Sequence, residues 1–228
     1  MYKGKTILAI IPARGGSKRL PNKNMLDLNG KPLIAWTIEA AKNSNNLDKV
    51  IVTSDSDDIL QISKDFGAET IKRPSEFASD EASSFVVIKH ALENLEDFDY
   101  VILLQPTSPL RNEIHIDEAI ELLANKNADS VISICETDHS PLWCNTLPAN
   151  ESMKSFLKEE VLDKRSQELE KYYRLNGAIY ISKCKNLLEE KSFHLKENTF
   201  AYIMNKKDSI DIDDEFDFKL AEVILSIK

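Results

Sequence analysis

The stretch "TILAIIPARGGSKRLPNKN" (residues 6–24) couples an unbroken apolar run to a loop that carries Arg14, Lys18, Arg19 and Lys23, two glycines and a proline. The run lacks the alternation of a half-buried strand and reads as a strand covered on both faces. In α/β proteins a Gly-rich basic turn after such a strand receives phosphate. Amides left bare by Gly15 and Gly16 point at the anion while cations offset its charge. Charge alone would suit a solvated turn, since loops are where charges normally go. The glycines and the preceding strand favour phosphate. Neither G-x-x-x-x-G-K-S/T nor G-x-G-x-x-G occurs, so this is neither a P-loop nor a dinucleotide fingerprint.

Downstream, short apolar runs alternate with segments of helical period. "PLIAWTIEAAKNS" places Leu33, Ile34, Thr37, Ile38 and Ala41 on one helix face, and "KVIVTSD" follows as a strand. "DDILQISKDFG" is a helix striped by Ile59, Ile62 and Phe66 and stopped at Gly67. After "AETIKRP", the run "EASSFVVIKHALENL" aligns Phe85, Ile88, Leu92 and Leu95. "YVILLQP" and "ADSVISI" are strands flanking a helix with Ile116, Ala119, Ile120 and Leu123 inward. This alternation predicts an α/β fold, a mostly parallel central sheet with helices on both faces, whose ligands sit at the carboxyl ends of the strands. The basic loop, "TSD" at 53–55 and "QPTSPLR" at 105–111 each follow a strand and are expected on one rim.

Over residues 139–174 the pattern breaks into a polar run, read as a solvated flap or an interface arm. "GAIYIS" and "TFAYIM" restore strand character, and the last helix is expected to turn Phe216, Leu220, Val223 and Ile227 inward. With no repeat or linker, residues 1–228 read as one domain.

The net charge of −9 argues against a nucleic-acid or anionic-membrane surface, so the basic loop is a local site on an acidic protein. Cys135, Cys144 and Cys184 have no metal-ligand or disulfide-framework spacing and read as plain thiols. There is no signal-like N-terminal run and no 18-residue apolar stretch, so a cytoplasmic protein without membrane contact is expected. His90, His115, His139 and His194 are scattered and receive no chemistry.

Acidic chemistry is concentrated in "DSIDIDDEFD" (residues 208–217). Asp214 and Glu215 suit a helix N-terminus, where the dipole favours negative charge. Asp211 and Asp213, interleaved with Ile210 and Ile212, suggest a strand with an acidic face, on which two carboxylates can share one hard cation. Gln105, at the carboxyl end of a strand, is placed to hold a substrate hydroxyl.

Five blocks, "IPARGGSKRLPNKN", "RPSEFASDEASS", "LLQPTSPLR", "RLNGAIYI" and "DSIDIDDEFD", resemble in order the signature blocks of the bacterial CMP-sialic acid synthetases, the acylneuraminate cytidylyltransferases. The likeness spans nearly the whole chain. CMP-Kdo synthetases share the first block only loosely. The resemblance implies a nucleotide-diphospho-sugar transferase-like fold, a homodimer built in part by an arm at 139–174, Mg²⁺ dependence, and conversion of CTP and a nonulosonic acid to the CMP-sugar and pyrophosphate. By the same resemblance Arg14, Gly15, Ser17, Lys23 and Asn24 face the triphosphate. Arg73 and Ser84 hold the cytidine, Gln105, Arg174 and Asn176 meet the sugar, and Asp211 and Asp213 hold Mg²⁺, with Arg14, Lys23 and the two aspartates carrying catalysis.

One departure is specific to this chain. Where the family reads R-Q-D/E-L-P before its Y/F-R-x-N-G block, this sequence has "KRSQELEKYYR". Ser166 takes the arginine slot, Arg165 lies one position earlier, and Glu170 replaces the proline. The expectation is that Arg165 reaches the sugar carboxylate from the slipped position, failing which Arg174 or Lys164 carries it. N-acetylneuraminate is the leading sugar, with legionaminic, pseudaminic or Kdo acids as alternatives. A module that kept the fold but lost the chemistry is disfavoured by the retention of Lys23, Gln105, Asp211 and Asp213.

Overall fold

In the computed structural model, which describes residues 1–78, 83–193 and 197–227, the run Ile7–Pro12 is strand β1. Its side chains divide between two cores. Ile7, Ala9 and Ile11 face one side, while Leu8 and Ile10 face the other, all at 1% exposure or less. This explains why the run is continuously apolar. His194 and residues 79–82, part of the second quoted block, lie outside the described residues.

After β1 come a small hairpin of β2 (Asp27–Leu28) and β3 (Lys31–Pro32), α1 (Leu33–Asn43), β4 (Lys49–Ser54), α2 (Asp57–Asp65) and β5 (Glu69–Lys72). Then follow α3 (Ser84–Glu93), β6 (Tyr100–Leu103), α4 (Glu113–Asn125), β7 (Ser130–Glu136), β8 (Tyr173–Lys183), α5 (Cys184–Glu190), β9 (Thr199–Ile203) and α6 (Glu215–Ser226). The main sheet has the order β5-β4-β1-β6-β8-β7-β9, and only β8 runs antiparallel to its neighbours. The chain begins at β1, proceeds one way to β5, then returns to the other side of β1 as β6. That reversal opens a crevice beyond the carboxyl ends of β1 and β6. Helices α1, α2 and α4 cover one face through Ile34, Ile38, Ile59, Ile116 and Ile120; α3 and α5 cover the other through Ile88, Ala91 and Leu187.

Two expectations are corrected. Residues 209–213 form no strand; the segment is a loop, pinned where the Ile212 amide donates to the Thr107 carbonyl at 2.8 Å. In α6 the stripe Phe216, Leu220, Val223 and Ile227 is exposed, whereas Phe218 and Ala221 turn inward onto Leu28, Leu33 and Ile212. The hairpin and the 209–213 loop supply this small third core, and they meet the opposite face of the helix. The polar run before β8 holds only one-turn 3-10 pieces, at Pro141–Trp143, Glu159–Val161 and Ser166–Glu168, and is largely exposed.

Candidate active site

A cavity of about 370 Å³ opens at the reversal point, and nine residues singled out from the sequence line it: Arg14, Ser17, Lys23, Asn24, Arg73, Ser84, Gln105, Asp211 and Asp213. They arrive from the loop after β1, the end of β5, the start of α3, the loop after β6 and the loop before α6. Phe77 and Val87 add an apolar wall.

Each loop is held by backbone contacts. The Asn24 amide nitrogen donates to the Arg14 carbonyl at 3.1 Å, closing the basic loop on itself. The Lys23 ammonium donates to the Ile212 carbonyl at 2.5 Å, tying that loop to the acidic one. Beneath the 105–111 loop the fully buried Arg111 donates to Thr37 Oγ1 at 2.7 Å and to the Gln105 carbonyl at 3.4 Å; burial pulls its guanidinium down to about 9.

The electrostatics follow from partial desolvation. Burial lowers the Lys23 pKa, with Asp213 and Asp211 opposing that shift and Arg14 and Arg19 reinforcing it. Burial raises the Asp211 carboxyl, a hydrogen bond from Thr107 opposes this, and the like charge of Asp213 adds to it. The two carboxylates line one cavity, and with Asp211 pushed towards its neutral form an added cation would favour its charged form. Arg19 meets the exposed side of Asp213 at 2.8 Å. Arg73 is buried, with its pKa lowered chiefly by burial; it donates to the Ala13 carbonyl at 3.4 Å and lies 3.8 Å from Asp55. Its Nε is buried and has no partner among the described residues.

Four sequence-derived residues are not brought into the cavity lining. The Gly15 amide donates to the Asp55 carboxylate, Oδ1 at 3.0 Å, and not into the cavity, and a Cβ there would stand 3.0 Å from the Ser56 Cβ. Asn176 is fully buried and its amide is engaged by Ser209, Ser133 and the Ala178 amide, behind the cavity lining. Arg174 donates to the Leu175 and Ser209 carbonyls, close enough to hold the Asp211 pKa down. Arg165 is exposed on the polar run, its backbone amide donating to Glu168 at 2.6 Å.

Sequence reasoning put Asp55 on the rim but gave it no role; it braces both Gly15 and Arg73. Burial and the charge of Asp211 raise the Tyr180 phenol, and its ring packs at 6.0 Å from Phe193. The available signal for Asp55 was its place at a carboxyl strand end.

A family profile for cytidylyltransferase matches residues 8–222, the span containing every one of these loops. The chain belongs to the cytidylyltransferase family. An N-acylneuraminate cytidylyltransferase of Escherichia coli O18:K1:H7 is 43% identical over 96% of this chain. The chain spans about half of that relative's length, 52%. A CMP-N,N'-diacetyllegionaminic acid synthase of Legionella pneumophila is 37% identical and matches over 97% of both chains. A solved CMP:2-keto-3-deoxy-manno-octonic acid synthetase complexed with CTP shares the fold with a TM-score of 0.74 over 97% of this chain and 99% of the other, at 18% identity. The mostly parallel seven-stranded sheet with helices on both faces is therefore the nucleotide-diphospho-sugar transferase-like architecture expected from the sequence.

Proposed function

We propose that this cytidylyltransferase transfers CMP from CTP to the anomeric hydroxyl of a nonulosonic acid, N-acetylneuraminate foremost, releasing pyrophosphate. The observation that carries the reading is the placement of Lys23 between the basic loop and the Asp211–Asp213 pair, in one cavity with Gln105. Cations gather where a triphosphate needs them and carboxylates where a metal does.

In the reaction the sugar oxygen forms a bond to the α-phosphorus as the bond from that phosphorus to the bridging oxygen of pyrophosphate breaks. Charge grows on the leaving group and on the non-bridging oxygens. Arg14 and Lys23 are placed to take up that charge in a partly desolvated site. Arg73, buried at the cavity's edge beside Phe77 and Val87, is placed to meet the cytosine. Gln105 presents a polar group to the sugar.

Asp211 and Asp213 would hold Mg²⁺. Among the described residues no three acidic, histidine or cysteine side chains form a metal cage. Mg²⁺ is ordinarily bound through one or two carboxylates plus substrate phosphates, so this donor set fits. When bound, the ion would neutralise charge on the α-phosphate and acidify the attacking hydroxyl.

A second reading, the same transfer to a legionaminic or pseudaminic acid, is favoured by one observation: those relatives match end to end at 37% and 33% identity. We include a cytoplasmic homodimer in the proposal. Exposed Leu147, Met153 and Leu162 on the polar run, and Tyr173, Leu175 and Ile203 on the adjoining sheet edge, support self-association. Pyrophosphate release from CTP, assayed against a panel of nonulosonic acids, tests the reading. Product with one of them is expected; no release with any at saturating Mg²⁺ overturns it.

A further inference from the structure

Strand β8 breaks register where it passes the cavity. Leu175 pairs with Ile134 of β7 and Tyr180 with Ile132, so β8 carries extra residues across this span. Bulges of this kind re-aim side chains next to sites. Gly177 lies in the irregular span with φ +76°, in the left-handed region that favours glycine. A Cβ built on it would stand 2.7 Å from Gln105 Oε1 and 3.1 Å from Asp211 Oδ2. The two acceptor oxygens thus come from separate loops and converge over the bare Cα of one residue.

The span is pegged from both sides. Ser133 Oγ donates to Asn176 Oδ1 at 2.6 Å and accepts from the Ile179 amide at 2.8 Å, replacing ladder bonds the bulge forfeits. Asn176 Nδ2 donates to Ser209 Oγ at 2.9 Å, which ties the bulge to the loop that bears Asp211.

We infer that Gly177 is a positioning residue whose missing side chain lets Asp211 and Gln105 present one oxygen pair to the metal and the sugar, with the Ser133–Asn176–Ser209 pegs fixing its height. This rests on the proposed metal role of Asp211. Gly177→Ala puts a methyl into the contact and displaces both oxygens. Gly4→Ala serves as the strain control, because Gly4 has the same φ of +76° and a Cβ added there would meet nothing within 4 Å.

The experiment is Mn²⁺ binding in the presence of a non-hydrolysable CTP analogue, read by electron paramagnetic resonance of free Mn²⁺, with thermal melts and separate kcat and KM values alongside. Gly177→Ala is expected to weaken Mn²⁺ binding about tenfold or more, the scale of losing an outer partner of a metal ligand. Gly4→Ala should leave it unchanged. Adding Gln105→Ala to Gly177→Ala removes the nearer contact and should restore most of the Mn²⁺ affinity while sugar use stays impaired. Should Gly177→Ala fail to fold, Ser133→Ala still tests the device: it loosens the peg and should weaken Mn²⁺ binding severalfold. Wild-type Mn²⁺ affinity in a folded Gly177→Ala overturns the inference, as does wild-type affinity in Ser133→Ala if that variant alone folds. Asp211→Asn separates the two layers. If it too binds Mn²⁺ normally, the metal reading itself has failed and takes the glycine's role with it.

Discussion

Lys23 is the residue whose removal is most informative, and Lys23→Met removes its charge while keeping an unbranched apolar stem. The ammonium is half-buried, donates to the Ile212 carbonyl at 2.5 Å and feels both Asp211 and Asp213. A hydrogen bond to a charged partner contributes about 1.5–3 kcal/mol. At about 1.4 kcal/mol per decade this corresponds to a rate loss of about 10- to 150-fold. The loss should fall on kcat more than on KM for CTP, because charge redistributes over the phosphates as pyrophosphate departs, and a fixed cation is better matched to the later distribution. A second consequence follows from the neighbour. Lys23 helps hold the Asp211 pKa down, so its loss should move the acid limb of the pH profile further up. Steady-state pyrophosphate release at varied CTP and pH measures both, with a thermal melt to show that the variant is folded. A folded variant with unchanged kcat and only a raised KM would mean that Lys23 binds ground state and transition state equally, and would refute the assignment.

Replacing either metal candidate, Asp211→Asn or Asp213→Asn, should cut turnover by about 10²-fold or more without unfolding the chain, as for loss of a charge-stabilising element; near-normal turnover at saturating Mg²⁺ would exclude that residue. The pH profile carries an independent sign. Burial raises the Asp211 carboxyl above its ordinary 3.8, so activity should fall as pH drops through a limb above that value. Added Mg²⁺ should shift the limb down, since metal and proton compete for the same oxygens; a limb insensitive to Mg²⁺ concentration would count against metal binding there. Arg165→Ala should weaken sugar use by about 1.5–3 kcal/mol in kcat/KM, with CTP binding intact. Unchanged sugar kinetics would transfer the carboxylate to Arg174 or Lys164.

Much of the fold was legible because its strands are buried on both faces. The run Ile7–Pro12 is then apolar without interruption, Val50–Val52 form a shorter apolar stretch, and the intervening helices carry a 3.6-residue stripe. The carboxyl strand ends followed directly; of the nine residues that line the cavity, Arg14, Lys23, Gln105, Asp211 and Asp213 stood out by residue type and place, whereas Ser17, Asn24, Arg73 and Ser84 came from the resemblance of the signature blocks. Burial and charge type were less legible for side chains that work sideways. Asn176 looked like a pocket residue because it is polar and sits in a signature block, yet both polar atoms of its amide are engaged inside the protein. The Gly15 amide looked free because glycine bares it, and Asp55, forty positions later, takes it.

The last helix shows most clearly where pattern stops being informative. Period identifies residues that share a face; it does not say which face another element will meet. In α6 the wide stripe of Phe216, Leu220, Val223 and Ile227 would bury more area than the narrower Phe218 and Ala221, so area alone predicts the reverse of what is seen. The orientation is set upstream. Asp214 caps the helix by accepting from the Phe216 and Asp217 amides, the Asp217 carboxylate accepts from the Asp213 and Asp214 amides in return, and the loop just before is nailed to Thr107 through Ile212. With Asp211 and Asp213 directed at the cavity, the first turn of α6 has no freedom to rotate. Site geometry therefore dictates helix rotation, and the apolar stripe is left on the surface as its consequence.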